Sequence, residues 1–343
     1  LNTLPALNRS MGAVAYNSYL FVVGGCSVGL CTTTVSTVYS AQINGNGTIG
    51  NWQTLSTLPQ PIYSAGVTTV SGYIYVTGGV NNSTYLSTVY SAPIKSDGTI
   101  GSWATLNTLP VAFQSHGVVT SNGYIYVTGG YNGSVSLATV YSTKVSNSGT
   151  IGSWATLNTL PVLLNGLGAV ATNGYMFIVG GTGTATFSTV YSTPLQSTSA
   201  TLATTGGTSW NAGNLLDVWN NVTQVAGIDY LGKIFTNSGV QLNNSQTPTA
   251  NFASSLNSQS AGTIGTYQTL SALPQVLYGH GYAAYNGYIY TLGGYTGAAA
   301  ISTVYVAKVN TDGTVSAWTA LNTIPVLTQS LAATVANGYI YIS

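Results

Sequence analysis

Apolar positions come in short bursts of four to six residues, each broken by Gly, Ser or Thr. The stretch after Pro110 shows the pattern. His116 to Thr120 alternates weakly, Asn122-Gly123 is a two-residue hairpin signal, and Tyr124-Ile-Tyr-Val-Thr128 is made of aromatic and β-branched residues that suit a pleated, half-buried surface. Gly129-Gly130 ends that run. After a variable loop, Ala138-Thr-Val-Tyr-Ser142 predicts a third strand, Asn147-Ser-Gly149 a turn, and Gly152-Ser-Trp154-Ala-Thr-Leu157 a fourth strand. The unit is a four-stranded antiparallel sheet, and no apolar run approaches the 18 residues of a membrane-spanning helix.

The unit repeats. A Leu-Pro or Ile-Pro pair closes each one, with prolines at Pro5, Pro59, Pro110, Pro161, Pro274 and Pro325, separated by 54, 51, 51, 113 and 51 residues. The 113-residue gap is expected to hold two periods of 51 plus 11 residues, so one unit between Pro161 and Pro274 has lost its signature. Four-stranded repeats of this length cannot bury both faces alone and are satisfied by radial stacking around an axis. The expected fold is therefore an all-β propeller.

The repeat carries paired glycines at Gly24-Gly25, Gly78-Gly79, Gly129-Gly130, Gly180-Gly181 and Gly293-Gly294. A tyrosine recurs at Tyr39, Tyr90, Tyr141, Tyr191 and Tyr305, and a tryptophan at Trp52, Trp103, Trp154 and Trp318, replaced once by Tyr267. This arrangement resembles the kelch repeat, the blade also found in galactose-oxidase-like propellers, of a secreted or surface prokaryotic type. Five recurrences at fixed spacing read as scaffold, with the aromatics supplying apolar faces between blades.

Blades are expected near 10–58, 64–109, 115–160, 166–214, 222–273 and 279–324, with an incomplete seventh at 330–343. Their starts are Ser10, Ser64, Ser115, Gly166, Thr223, Gly279 and Ser330. The chain opens on Leu-Asn-Thr-Leu-Pro, the tail of a fourth strand, so both ends fall inside a repeat. Either the chain is a segment of a longer protein or the closing strands come from elsewhere.

Composition narrows the function. Of 343 residues only 5 are Lys or Arg and 4 are Asp or Glu, so charged residues make up 3%. Nucleic-acid binding is excluded because Arg9, Lys95, Lys144, Lys233 and Lys308 are too few and scattered to track phosphates. Paired-carboxylate chemistry is disfavoured, since there is no Glu and the four Asp lie far apart. A net charge of +1 gives little repulsion between copies, so self-association is expected.

The two cysteines, Cys26 and Cys31, share one loop and are expected to form a disulfide, worth roughly 2 kcal/mol for so short a ring, in an oxidising compartment. Asn-X-Ser/Thr sequons stand at Asn8, Asn46, Asn81, Asn82, Asn132, Asn221 and Asn243 as candidate glycosylation sites. Together with the missing charges they suggest an extracellular or cell-surface location.

His116 and His280 occupy one repeat position, where other blades carry Met11, Ala65, Leu167 and Leu331, so they read as packing residues. The copper ligands and Tyr–Cys crosslink of galactose-oxidase-like enzymes therefore do not carry over, and no cofactor or metal is expected. Ser96-Asp97-Gly98 is similar to a sialidase Asp-box turn in composition but not in spacing. Arg9 alone cannot form the arginine cluster that sialate requires.

The segment 197–262 stops obeying the repeat. It holds Trp210, Asp217, Trp219, Asp229 and Lys233, so three of the nine charges fall within 17 residues. These five are candidate ligand-binding residues, the aromatic and polar set that stacks on sugars and hydrogen-bonds to them. The expected function is a non-enzymatic extracellular scaffold or adhesion protein, part of a filament, coat or appendage, with other surface proteins or its own copies as partners. The alternative is a glycan-binding module.

Overall fold

A computed structural model describes residues 2–6, 8–27, 31–195, 262–325 and 327–343, and the backbone alone of 214–220, 223–229 and 234–236. Among the described residues the secondary structure is all β, and no helix is long and apolar enough to cross a membrane. Five four-stranded antiparallel blades follow one another. In the third, Gly117–Ser121 pairs with Tyr124–Thr128, which pairs with Val140–Lys144, which pairs with the short outer strand Ala155–Thr156. The hairpin register is set by Asn122-Gly123, both at positive φ (51° and 75°), the two-residue turn whose twist matches that of the flanking strands. The same pair recurs at Asn173-Gly174, Asn286-Gly287 and Asn337-Gly338.

The ring has six radial positions among the described residues, not the seven the repeat arithmetic predicts. The innermost strands Gly12–Tyr16, Gly66–Val70, Gly117–Ser121, Gly168–Thr172, Gly281–Tyr285 and Ala333–Ala336 neighbour one another in a closed cycle, the last packing against both the fifth and the first. The sixth sheet is the hairpin Ala333–Ala336 with Tyr339–Ile342. The discrepancy lies in the fourth blade. Val190–Pro194 pairs not with a strand before residue 214 but with Gln268–Leu270, in the register Val190↔Leu270 and Ser192↔Gln268. Thr198–Ser260 is a compact unit of its own, inserted at the turn between third and fourth strands. Its strands Asn214–Asn220, Thr223–Asp229 and Ile234–Thr236 form a separate three-stranded sheet. The 113-residue interval is thus one period and a long insertion, and the expected blades 166–214 and 222–273 are one blade.

The core lies between blades, with one apolar cluster at each of the six interfaces. Between blades two and three it gathers Tyr75, Val89, Phe113, Ile125 and Val127, all essentially buried. Burying a side chain of this size stabilises by about 1.5–3 kcal/mol. Two repeated links fix how blades abut. The tryptophan Nε1 donates to the preceding blade's loop carbonyl, as in Trp154 to Asn107 O (3.3 Å) and Trp318 to Ser271 O (3.0 Å). Except in blade five, the first tyrosine of the second strand packs its ring on the next blade's outer-turn glycine, as Tyr73 does on Gly149 and Tyr175 on Gly313. Only glycine permits that approach, because a Cβ would enter the ring. Gly262 receives Tyr124 in the same way, which marks it as the turn glycine of blade four, and Gly47 receives Tyr339, which closes the ring.

Candidate functional site: the axial mouth

Five residues after each repeat proline the backbone turns into the left-handed region, at Ser10, Ser64, Ser115, Gly166, Gly279 and Ser330, with φ between 51° and 60°. These six positions link head to tail through their main chains. Ser64 N donates to Ser10 O (2.8 Å), Ser115 N to Ser64 O (3.0 Å), Gly166 N to Ser115 O (2.8 Å), Gly279 N to Gly166 O (2.8 Å) and Ser330 N to Gly279 O (2.7 Å). The result is a collar of backbone around one end of the axis. Left-handed φ costs glycine nothing and a small polar residue little, which accounts for a Ser/Gly position.

The next residue in each unit, Met11, Ala65, His116, Leu167, His280 or Leu331, lies just inside the collar. The mouth, about 120 Å³, opens on an axial channel of about 390 Å³ walled by the inner strands. At the eighth position after the proline the channel carries Ala13, Val67, Val118, Ala169 and Ala333, but Tyr282 in blade five. Tyr282 also borders the mouth, and burial raises its phenol pKa.

Outside the collar, the residues preceding each collar position are Arg9, Tyr63, Gln114, Asn165, Tyr278 and Gln329. Four of them are held by main-chain bridges to the loops that follow the paired glycines: Tyr63 to Val80, Gln114 to Tyr131, Asn165 to Thr182 and Tyr278 to Tyr295. Asn165 Nδ2 donates to Ser136 Oγ (2.8 Å), and the Tyr278 and Tyr295 rings meet edge to face with centroids 5.5 Å apart. The rim is rich in amides and phenols and carries the chain's sole arginine.

Both histidines are buried and kept neutral by desolvation, His116 down to about 3 and His280 to about 4. His116 Nε2 shares a hydrogen bond with Thr77 Oγ1 (2.9 Å), its direction set by the imidazole tautomer, and Thr77 Oγ1 also lies within reach of Gly66 O (3.3 Å). His116 Nδ1 and both His280 nitrogens are buried without a partner. Burial therefore keeps both imidazoles in the neutral form near neutral pH. No cluster of three or more His, Cys, Asp or Glu that could hold a metal occurs among the described residues.

Of the residues singled out by sequence, Cys26 and Cys31 are joined in a disulfide, with Cα atoms 5.0 Å apart. That loop sits on the rim, where Arg9 pairs with Cys26 along the backbone and Arg9 Nε donates to Cys31 Sγ (3.1 Å). Asn8 pairs with Ser27 beside it. Asn81 and Asn82 lie on the loop after Gly78-Gly79, where Thr34 Oγ1 reaches both side chains. Asn132 Oδ1 accepts from Ser134 N and Val135 N (2.9 Å each). Asn46 lies away from the rim in an outer turn, accepting from Thr48 N (3.1 Å) and Oγ1 (2.7 Å). Asn221, Asn243, Trp210 and Lys233 lie outside the described residues. Asp217, Trp219 and Asp229 fall in strands of the inserted unit, where Asp217 opposes Gly227, Trp219 opposes Gln224 and Asp229 opposes Asn214. Sequence reasoning placed the collar serines only as blade starts, without a role at the mouth, and missed Tyr282. The fixed offset from the prolines could have found the former, and the one aromatic at an Ala/Val position the latter.

Two segments, residues 61–91 and 112–142, match the kelch motif. The chain is similar to the Kelch repeat and BTB domain-containing protein 1 of camelpox virus, 27% identical over 152 residues, covering 44% of this chain and 25% of that protein. The horsepox virus protein of the same name is 22% identical over 170 residues, covering 50% and 28%. The matched part is thus about a quarter of those relatives' length. Among solved structures, YjhT superposes with a TM-score of 0.61 at 13% identity, over 96% of this chain and 88% of that one. The fold is an all-β propeller, and its second and third blades match the kelch motif.

Proposed function

We propose that this chain is a non-catalytic binding propeller of a secreted or surface prokaryotic type, serving as a scaffold or adhesion module that holds its partner on the rim around the axial mouth. The observation that carries the reading is the rim itself. Five main-chain-anchored positions, Arg9, Tyr63, Gln114, Asn165 and Tyr278, present amides, phenols and one guanidinium, while the only imidazoles nearby are buried and neutral. Such a face recognises by hydrogen bonding and aromatic contact and offers no group poised for acid–base work near neutral pH. The Cys26–Cys31 disulfide and the 3% of charged residues support an exported location.

The aromatic pairs Tyr278 with Tyr295 and Tyr85 with Tyr131 favour carbohydrate as a second description of the partner. Surface biotinylation of producing cells should label the chain, and labelling only after lysis would overturn the location. A triple variant Tyr63→Ser, Gln114→Ser, Tyr278→Ser should lower binding to the cognate surface at least tenfold with an unchanged melting temperature. Unchanged binding would overturn the rim as the contact face.

A further inference from the structure

The collar is not uniform. Ser330, Ser10, Ser64 and Ser115 occupy four consecutive blades and place hydroxyl-bearing residues along one arc of the mouth, while Gly166 and Gly279 leave the opposite arc without side chains. Beneath that bare arc stands Tyr282, the one aromatic among the eighth positions, otherwise Ala or Val. Its edge-to-face contact with His280, centroids 6.3 Å apart, steadies the ring. Among the described residues no charged side chain lines the mouth, and Arg9 stands outside it.

We propose that the mouth seats a neutral pyranose, its hydroxyls on the serine arc and its apolar C–H face on Tyr282 through the glycine gap. The chemistry follows from the asymmetry. A sugar ring has one edge of hydroxyls and one face of C–H groups, and the mouth offers a hydroxyl arc opposite an aromatic floor. A polar arc alone would hold water, and an aromatic alone would hold any apolar group; the pair selects an amphipathic ring. The absence of a cation or carboxylate among the lining residues selects against charged sugars, whose desolvation would go uncompensated. This inference rests on reading the rim as the binding face and adds a ligand class and a subsite to it.

The test uses the whole chain with neutral hexoses, their methyl glycosides and a sialylated glycan as probes, read by saturation-transfer NMR and calorimetry. A neutral pyranose should bind and the sialylated probe should not. Tyr282→Val, which installs the residue of blade two, should weaken binding at least tenfold, and Ser64→Ala or Ser115→Ala threefold or more. Gly166→Ser and Gly279→Ser, which complete the serine ring and cover the floor, should also weaken it. A methyl glycoside binding as well as the free sugar indicates a glycan terminus as the natural source; preference for the free sugar indicates a soluble monosaccharide. Either supports the site. Neutral sugars that fail to bind, or bind equally to Tyr282→Val, overturn it. If the cognate surface is then still bound in a rim-dependent way, the scaffold reading stands alone.

Discussion

His116 and His280 hold the same repeat position two blades apart, in blades three and five, yet live in different surroundings. Each imidazole packs over the first glycine of the preceding blade's inner strand, His116 over Gly66 and His280 over Gly168. The difference is one residue at the end of the second strand. Blade two has Thr77 there and blade four has Val179. Thr77 gives His116 a hydroxyl at 2.9 Å, while His280 has no partner for either nitrogen. A repeat scaffold can therefore accept a polar residue at a packing position in two ways: by supplying a partner from the neighbouring blade, or by bearing the cost of an unsatisfied group. That cost is about 1–3 kcal/mol.

The largest effect expected from disturbing this pair comes from the glycines beneath. A Cβ on Gly66 would lie 2.5 Å from His116 Nε2 and 2.7 Å from Thr77 Oγ1, and one on Gly168 would lie 2.8 Å from His280 Nε2. Gly66→Ala and Gly168→Ala are expected to cost about 2–3 kcal/mol each, the first more than the second, and His116→Ala should partly rescue Gly66→Ala. Calorimetric melting of the single and double variants checks this.

Acid comes next. Both folded-state pKa values lie below the roughly 6.5 of an unfolded histidine, so between the two the unfolded chain binds protons that the folded chain does not. Stability is fully present above pH 6.5 and falls as pH drops from there towards 4 and then 3, by up to about 1.4 kcal/mol per pH unit for each histidine. Replacing either histidine with Leu should halve the slope of melting temperature against pH over 4–6. A slope unaltered in both variants would refute the assignment.

His280→Leu, which matches Leu167 and Leu331 at the same position, should stabilise by about 1–2 kcal/mol at neutral pH because it removes two buried orphan nitrogens. His116→Leu should be neutral or mildly destabilising, since it gives up a made hydrogen bond. Equal effects would erase the contrast between the sites. The smallest change is the exchange of partners. Thr77→Val should cost about 1 kcal/mol and Val179→Thr should gain about 0.5–1 kcal/mol, measured side by side in denaturant titrations.

Much of the fold is legible before any coordinates. Tyr124–Thr128 is a strand with the bounds the sequence predicts, the Asn-Gly pairs are hairpin turns, and the tryptophans tie blade to blade. The outer strand, expected over 152–157, narrows to Ala155–Thr156 because only Tyr141 and Ser142 pair with it. The candidate site was less legible. Its serines differ from other Ser residues of the chain only by their offset from the prolines, and offset acquires meaning once six units meet on one axis.

What the sequence determined by itself is local: strand, turn and period are set by nearest neighbours and by residue types whose preferences act within a few positions. What tertiary structure decided is everything that depends on which distant segments meet. Blade four resumes at Gly262 because that glycine accepts Tyr124 and because Gln268–Leu270 completes the edge of Val190–Pro194, and neither contact has a sequence period. Hence an insertion can look like a decayed repeat, and the described residues form a ring of six positions where arithmetic along the chain finds seven. The collar has the same origin. Its hydrogen bonds join residues about 51 positions apart, or 113 across the insertion, so the mouth exists only when the inner strands close around the axis.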